Sequence, residues 1–313
     1  MTAPATPLEQ LTTVDPTWHR VAEAVPREAF PSNAFDELAL PMWQRLEVRS
    51  GHRVLEIGTG TGYSAALGAH RLGDQNIVSV EADPEAADRA ATALRTAGYS
   101  PTLVVGDELD GHAGAGPYDR LIATRAVRYL PHRWLHQVKP GGRILATLSG
   151  WSHGSGLALL TVTAPGHAAG RFLPDCPNLP LARSHTPPPR RSVTLAPGDQ
   201  RPSRIDPATL DTWTGAWVAQ LGAPSAERTG AGERQILLDV ATGSQARTEP
   251  DVAGGWTVTQ RGPLRLWDQV EHAVLRWRRR GSPRQGEFRI TVTPRGQLVR
   301  LGAEDGPGWQ LPV

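Results

Sequence analysis

Residues 54–66 read VLEIGTGTGYSAA, and this stretch decides the fold. Val54, Leu55 and Ile57 make a short apolar run of the kind that forms a buried strand. The next five residues, Gly58, Thr59, Gly60, Thr61 and Gly62, form a loop, and a helical segment starts after them. Three glycines in five residues let backbone approach a ligand closely, because no Cβ stands in the way. The helix that follows turns its unpaired N-terminal N–H groups toward the same place. Nucleotide and dinucleotide folds share this device, so spacing has to discriminate between them. A dinucleotide fingerprint of the form G-x-G-x-x-G needs glycine at position 63, which is tyrosine here. The phosphate loop G-x-x-x-x-G-K-[ST] is also absent.

Outward from this stretch, short apolar runs alternate with helical segments. The strands are expected at 53–57, 76–81, 102–105, 119–124 and 143–148, with a further one at 157–163. The helices between them are expected at 62–72, 84–97 and 131–138. Asp83 caps the second of these, Pro84 suits its first position and Gly98 marks its end. This alternation predicts a doubly wound α/β domain with a mostly parallel, Rossmann-like sheet. Upstream, a helical opening is expected over 8–30, and a short helix over 36–47 that Pro41 interrupts. Nine prolines fall between Pro174 and Pro207, and they argue against continuous structure there. The division expected is a first domain over 8–183, a Pro-rich linker over 184–206, and a smaller α+β domain over 207–313. Within the last, helices are expected at 207–221 and 264–280, and strands at 234–240, 256–260, 287–293 and 297–301.

An acid stands two residues before the first glycine, giving Glu56-x-Gly58-x-Gly60-x-Gly62. Glu81 ends the next strand, where such folds place a carboxylate on ribose hydroxyls. Asp107 follows the third strand, positioned for adenine, and Glu108 comes next. S-adenosylmethionine fits this set. It has no phosphates; it carries a carboxylate for the helix amides and a cationic side for an acid at the strand end. The expected cofactor-binding residues are therefore Glu56, Gly58, Thr59, Gly60, Thr61, Gly62, Glu81, Asp107 and Glu108. No catalytic triad and no metal set stands out. His132 and His136 sit one helical turn apart without a third ligand, and read as surface or structural residues.

The run VLEIGTGTGY, with VEADP (80–84), Gly106-Asp107, PYDRLIAT (117–124) and VKPGGRI (138–144), resembles class I S-adenosylmethionine methyltransferases. VPREAF (25–30) and PYDR narrow the resemblance to the protein-L-isoaspartate O-methyltransferase family, over about 18–165. That resemblance implies methyl transfer to the free α-carboxylate of an L-isoaspartyl residue in a protein or peptide. A carboxylate with a pKa of ~4 is ionised at neutral pH and needs no general base. In-line positioning then supplies most of the acceleration.

Two departures from the family pattern stand out. Phe30 is followed by PSNAFDELALPMWQRLEVRSG (31–51), and the first strand begins at once. The family's Ser-x-Pro substrate motif is missing, with Pro41 as its remnant, and Glu108 stands where the family has glycine. Residues from about 184 onward have no counterpart in the single-domain repair enzyme. GPLRLWDQVEHAVLRW (262–277), GEFRITVTP (286–294) and GPGWQLP (306–312) resemble methyltransferases encoded beside ATP-grasp peptide ligases. This resemblance implies an alternative, methylation of an aspartyl carboxylate during peptide maturation. A third reading is a degenerate methyltransferase fold used as a binding module.

Composition narrows the class further. The chain has 313 residues, 39% hydrophobic and 20% charged, with a formal net charge of +2. That balance predicts no nucleic-acid partner, since a reader of DNA concentrates basic charge on one face. Cys176 is the single cysteine, which rules out an internal disulfide. No apolar run approaches the ~20 residues that span a bilayer, and the N-terminus lacks a basic start and an apolar core. A cytoplasmic protein without membrane association is expected. In the helix expected at 264–280, Leu266, Val270, Val274 and Trp277 share one face, and Arg276, Arg278, Arg279 and Arg280 crowd its end. It reads as a packed helix with a solvated basic terminus.

Overall fold

The structure, a computed structural model, describes residues 15–174, 176, 178–189, 196–302 and 306–313. Two helices precede the first strand: α1 (Pro16–Ala24) and α2 (Ala39–Leu46). Asp15 caps α1 by accepting the Thr17 N–H at 2.7 Å, and Pro16 takes the first position. Pro41 does not interrupt α2. It lies in the first turn, where a missing N–H costs nothing. Then β1 (Val54–Ile57), α3 (Tyr63–Leu72), β2 (Ile77–Glu81), α4 (Pro84–Thr96), β3 (Thr102–Val105), β4 (Tyr118–Ala123), α5 (His132–Gln137) and β5 (Val138–Ser149) follow. The remaining elements are β6 (Ser155–Ala164), β7 (His167–Phe172), β8 (Asp199–Pro202), α6 (Trp213–Gly222), β9 (Glu227–Ala231), β10 (Arg234–Asp239), β11 (Ser244–Pro250), β12 (Trp256–Arg261), α7 (Leu266–Arg278), β13 (Phe288–Thr293), β14 (Gly296–Leu301) and β15 (Gly308–Gln310).

Ten strands form one sheet in the order β15-β14-β13-β7-β6-β5-β4-β1-β2-β3. From β5 through β4, β1 and β2 to β3 the neighbours run parallel. From β5 outward to β15 every neighbour is antiparallel. The winding direction reverses between β1 and β4, and the carboxyl ends of those two strands open a crevice.

Side chains alternate across the parallel half, as the pleat requires. Leu55, Ile57, Leu121, Ala123, Ile144 and Ala146 face a core shared with α5, α6 and α7. Val54, Ile122 and Leu145 face a second core formed with α1, α2, α3 and α4. Both faces are thus covered, which is why these strands read as continuous apolar runs. On the second face Trp43 of α2 is fully buried against α3. A Cβ on Gly68 would stand 2.6 Å from the Trp43 ring, so glycine sets how close the two helices lie.

The C-terminal part divides between two sheets. β8, β12, β11, β10 and β9 make a five-stranded antiparallel sheet, with α6 and α7 nearby in sequence. β13, β14 and β15 instead return to the first sheet, where Ile290 pairs with Gly170 and Arg289 with Arg171. The stretch expected as a linker supplies β8, whose Pro202 is tolerated because β8 is an edge strand. The helix expected over 207–221 is a 3₁₀ turn (Pro207–Asp211) followed by α6, capped by Thr212. In α7, Leu266, Val270, Val274 and Trp277 are buried as one face. Its basic end is partly docked: Arg276 lies over the Trp309 ring, and Arg278 donates to the Thr209 hydroxyl at 2.6 Å. No helix among the described residues is long and apolar enough to cross a membrane.

Candidate functional site

The loop after β1 lies at the crevice. Gly58, Gly60 and Gly62 all have positive φ, at 91°, 56° and 90°. Side-chain-bearing residues rarely adopt that region. At Gly58 space forbids a side chain as well. A Cβ there would lie 2.7 Å from the Thr124 hydroxyl and 2.8 Å from Cγ of Arg125. Thr124 donates its hydroxyl back to the Gly58 carbonyl, tying the loop to the end of β4. A Cβ on Gly60, by contrast, meets nothing within 4 Å, and Gly60 lines a cavity.

Glu56 is fully buried within β1. Its Oε2 accepts from the Ser79 hydroxyl at 2.6 Å, and Ser79 in turn shares a 2.7 Å hydrogen bond with the Thr59 hydroxyl. Its Oε1 is buried without a hydrogen-bond partner. Burial pushes the carboxyl up to about 7, against the opposing pull of the Ser64 and Ser79 hydroxyls. An orphaned carboxylate oxygen behind the loop suits a cationic ligand group.

Glu81 ends β2 and is also buried. Its Oε2 accepts the Gly60 N–H at 2.9 Å, and its Oε1 accepts the Asp83 N–H at 3.2 Å. Asp107, two residues past β3, is exposed; it accepts from the Leu109 N–H at 2.9 Å and from the Ser184 hydroxyl at 2.9 Å. Glu108 turns away from Asp107. It is 2% exposed, Oε2 accepts the Arg183 N–H at 3.1 Å, and Oε1 lies 3.3 Å from Nε of Arg125. Burial raises its carboxyl above the ordinary glutamate range. The loop and the four acids therefore gather at the carboxyl ends of β1, β2 and β3.

Several residues of the crevice are absent from the sequence-based set. Asp36, in a 3₁₀ turn before α2, accepts from the Thr61 hydroxyl at 3.0 Å and pairs with Nη2 of Arg27 at 2.8 Å. Burial raises its carboxyl above the ordinary aspartate range, against the opposing Thr61 and Arg27. Arg27 also stacks over the Tyr63 ring, 4.9 Å from its centroid. The segment 25–36 thus clamps the start of α3 to the loop. Ala39 and Met42, from the first turn of α2, line the cavity beside Gly60. Ala39 stands two residues before Pro41, so no hydroxyl is supplied at that position. Arg125 lines the same cavity from the end of β4.

The family model described as protein-L-isoaspartate(D-aspartate) O-methyltransferase matches residues 32–153. A protein-L-isoaspartate O-methyltransferase of Ignicoccus hospitalis is 34% identical over 179 residues, which is 49% of this chain and 85% of that protein. One of Methanopyrus kandleri is 36% identical over 143 residues, 45% of this chain and 63% of that protein. A solved structure titled protein-L-isoaspartate O-methyltransferase matches with a TM-score of 0.56 at 16% identity, covering 93% of this chain and 96% of the other. The shared fold therefore extends well beyond the part matched by sequence, into the C-terminal strands.

Proposed function

The chain belongs to the protein-L-isoaspartate O-methyltransferase family, and we propose that it methylates the free α-carboxylate of L-isoaspartyl residues in proteins or peptides. One observation carries the reading: a positive-φ glycine loop backs onto a buried Glu56 with an orphaned oxygen, beside a cavity at the β1/β4 switch point. S-adenosylmethionine is the methyl donor; when bound it supplies a sulfonium methyl that passes to the acceptor oxygen, leaving a methyl ester and S-adenosylhomocysteine. Glu56 would hold the cationic amino-acid end, Glu81 the ribose hydroxyls and Asp107 the adenine side. The glycines of the loop keep side chains out of the donor's way.

Little else is asked of the protein. An ordinary carboxylate is already ionised at neutral pH, so no base has to remove a proton. The chain has to hold two reactants in line, and that alone is a large effect. Arg27, Asp36 and Thr61 serve this end by fixing the 31–42 segment over the loop. A second reading, methylation of an aspartyl side chain in a maturing peptide, draws support from Ala39, which puts a methyl group in the cavity wall two residues before Pro41, where the family's motif has a serine.

The test is transfer from labelled S-adenosylmethionine to a matched pair of peptides, one isoaspartyl and one aspartyl. Base-labile label on the isoaspartyl peptide alone supports the proposal. Label on the aspartyl peptide alone supports the second reading. Cofactor binding without transfer to either rejects both and leaves a binding module.

A further inference from the structure

We propose that Arg125 receives the acceptor's carboxylate and makes the cleft selective for an anionic acceptor. The inference deepens the functional reading above and rests on it. The cavity beside the loop is lined by Asp36, Ala39, Met42, Thr59, Gly60 and Arg125, among others. Arg125 is the one cation among its described lining residues. Arg27, which pairs with Asp36 of the cavity wall, is committed: Nη2 goes to Asp36 at 2.8 Å, and Nη1 to the carbonyls of Phe30 and Pro31.

An acceptor carboxylate entering this space meets an unfavourable field. Asp36 lines the wall, and Glu56 lies buried behind the loop. The wall supplied by α2 is apolar at Ala39 and Met42. Moving an anion out of water into such a place is costly unless a cation or good donors meet it. Arg125 has the chemistry to meet it. Its planar fork accommodates a carboxylate through two parallel N–H···O bonds.

The guanidinium is also held in place from behind. The Cγ of its stem stands 2.8 Å from where a Cβ on Gly58 would be, so stem and loop are in contact. Its Nε lies 3.3 Å from Oε1 of Glu108, and Glu108 is anchored by the Arg183 N–H. Among the described residues nothing accepts from its two terminal amino groups. Glu108 is then a positioning residue: it orients Arg125 and leaves the terminal fork for the acceptor. The chain between β3 and α5 supplies both partners, so donor loop and acceptor cation sit on adjoining strand ends.

The test compares the unaltered chain with Arg125→Ala, Arg125→Gln and Arg125→Lys. Three quantities are read: peptide KM, Kd for S-adenosylhomocysteine by calorimetry, and inhibition by the isoaspartyl peptide against its uncharged amide analogue. The inference predicts a KM rise of about tenfold or more in Arg125→Ala and Arg125→Gln. Kd for S-adenosylhomocysteine stays within about twofold, which also reports that the variant is folded. Preference for the anionic inhibitor over the amide collapses in both, and Arg125→Lys restores part of it. If Arg125→Ala does not fold, Arg125→Gln carries the same comparison with shape kept and charge removed. Transfer by every variant with unchanged KM and unchanged inhibitor preference overturns the inference alone. A rise in Kd for S-adenosylhomocysteine that matches the KM rise also overturns it, and assigns Arg125 to the donor's carboxylate. No transfer by the unaltered chain removes the functional reading and this inference together.

Discussion

The crevice has two walls that are built in different ways. The donor wall is Glu56, the 58–62 loop and Glu81. It comes from one strand–loop–helix unit and the strand beside it, and its polar groups answer each other within about 25 residues of sequence. The acceptor wall is Asp36, Ala39, Met42 and Arg125, together with Leu179 and Pro180. It is assembled from three separate segments, two of them without regular structure at the contact. The contrast teaches that the donor side is set by backbone conformation, whereas the acceptor side is set by individual side chains. Substitutions on the first wall should therefore weaken donor binding, and those on the second should retune acceptor binding.

The largest effect is expected at Gly58. A methyl group there meets Thr124 and Arg125 at under 3 Å and sits at φ 91°. Strain and overpacking of this kind cost about 1–3 kcal/mol each. Gly58→Ala should weaken S-adenosylhomocysteine binding roughly 100-fold or more and lower the melting temperature. Near-normal affinity in that variant would remove the distinction between the walls.

Glu56 comes next, and its effect is on pH. The folded carboxyl holds its proton up to about 7, whereas the ordinary value is 4.5. The free protein thus binds one more proton folded than unfolded between those values, and its stability falls as pH rises from 4.5 to 7. A bound cation favours the ionised form, so ligand binding releases this proton. Affinity for S-adenosylhomocysteine, which keeps the ammonium, should drop about tenfold from pH 8 to pH 6. Calorimetry in buffers of different ionisation enthalpy checks the proton release, and Glu56→Gln should flatten both dependences.

A smaller effect is expected on the acceptor wall. Asp36→Ala removes the partner of Arg27 and Thr61. Loss of these bonds should cost about 1 kcal/mol in denaturant unfolding, because Arg27 retains access to water. It should raise peptide KM more than the Kd for S-adenosylhomocysteine. Smallest of all is Arg89→Ala, away from both walls, which breaks an exposed pair with Glu85 at 3.6 Å. It should shift stability by under about 0.5 kcal/mol and leave both constants alone.

The same contrast explains what could be read from the sequence. β1, β2, β3, β4 and α4 were legible because each is a contiguous pattern: apolar runs, buried in β1 and β2 and only half-covered at the edge strand β3, and Asp83-Pro84 opening a helix. The places of Glu56 and Glu81 were legible because one lies inside the first such strand, two residues before the glycine loop, and the other ends the second. Asp36 and Arg125 carry no local signature, since their role comes from a contact across the crevice. Glu108 was expected beside adenine but turns to Arg125, because a buried carboxylate seeks a cation. The missed strands have equally local reasons. β11 turns Ser244, Ala246 and Thr248 inward, small or polar residues that give no apolar alternation. β7 and β9 carry few of the branched or aromatic residues that mark strands. The return of β13–β15 to the first sheet is a long-range pairing that no local pattern encodes.

The most direct test of the central claim is calorimetric titration of S-adenosylhomocysteine into the unaltered chain and into Glu81→Ala. Saturable one-to-one binding to the unaltered chain is predicted, weakened by about tenfold in the variant, consistent with loss of a charge-assisted hydrogen bond. Absence of binding to the unaltered chain, or equal binding by the two, would contradict the assignment of this crevice to the methyl donor.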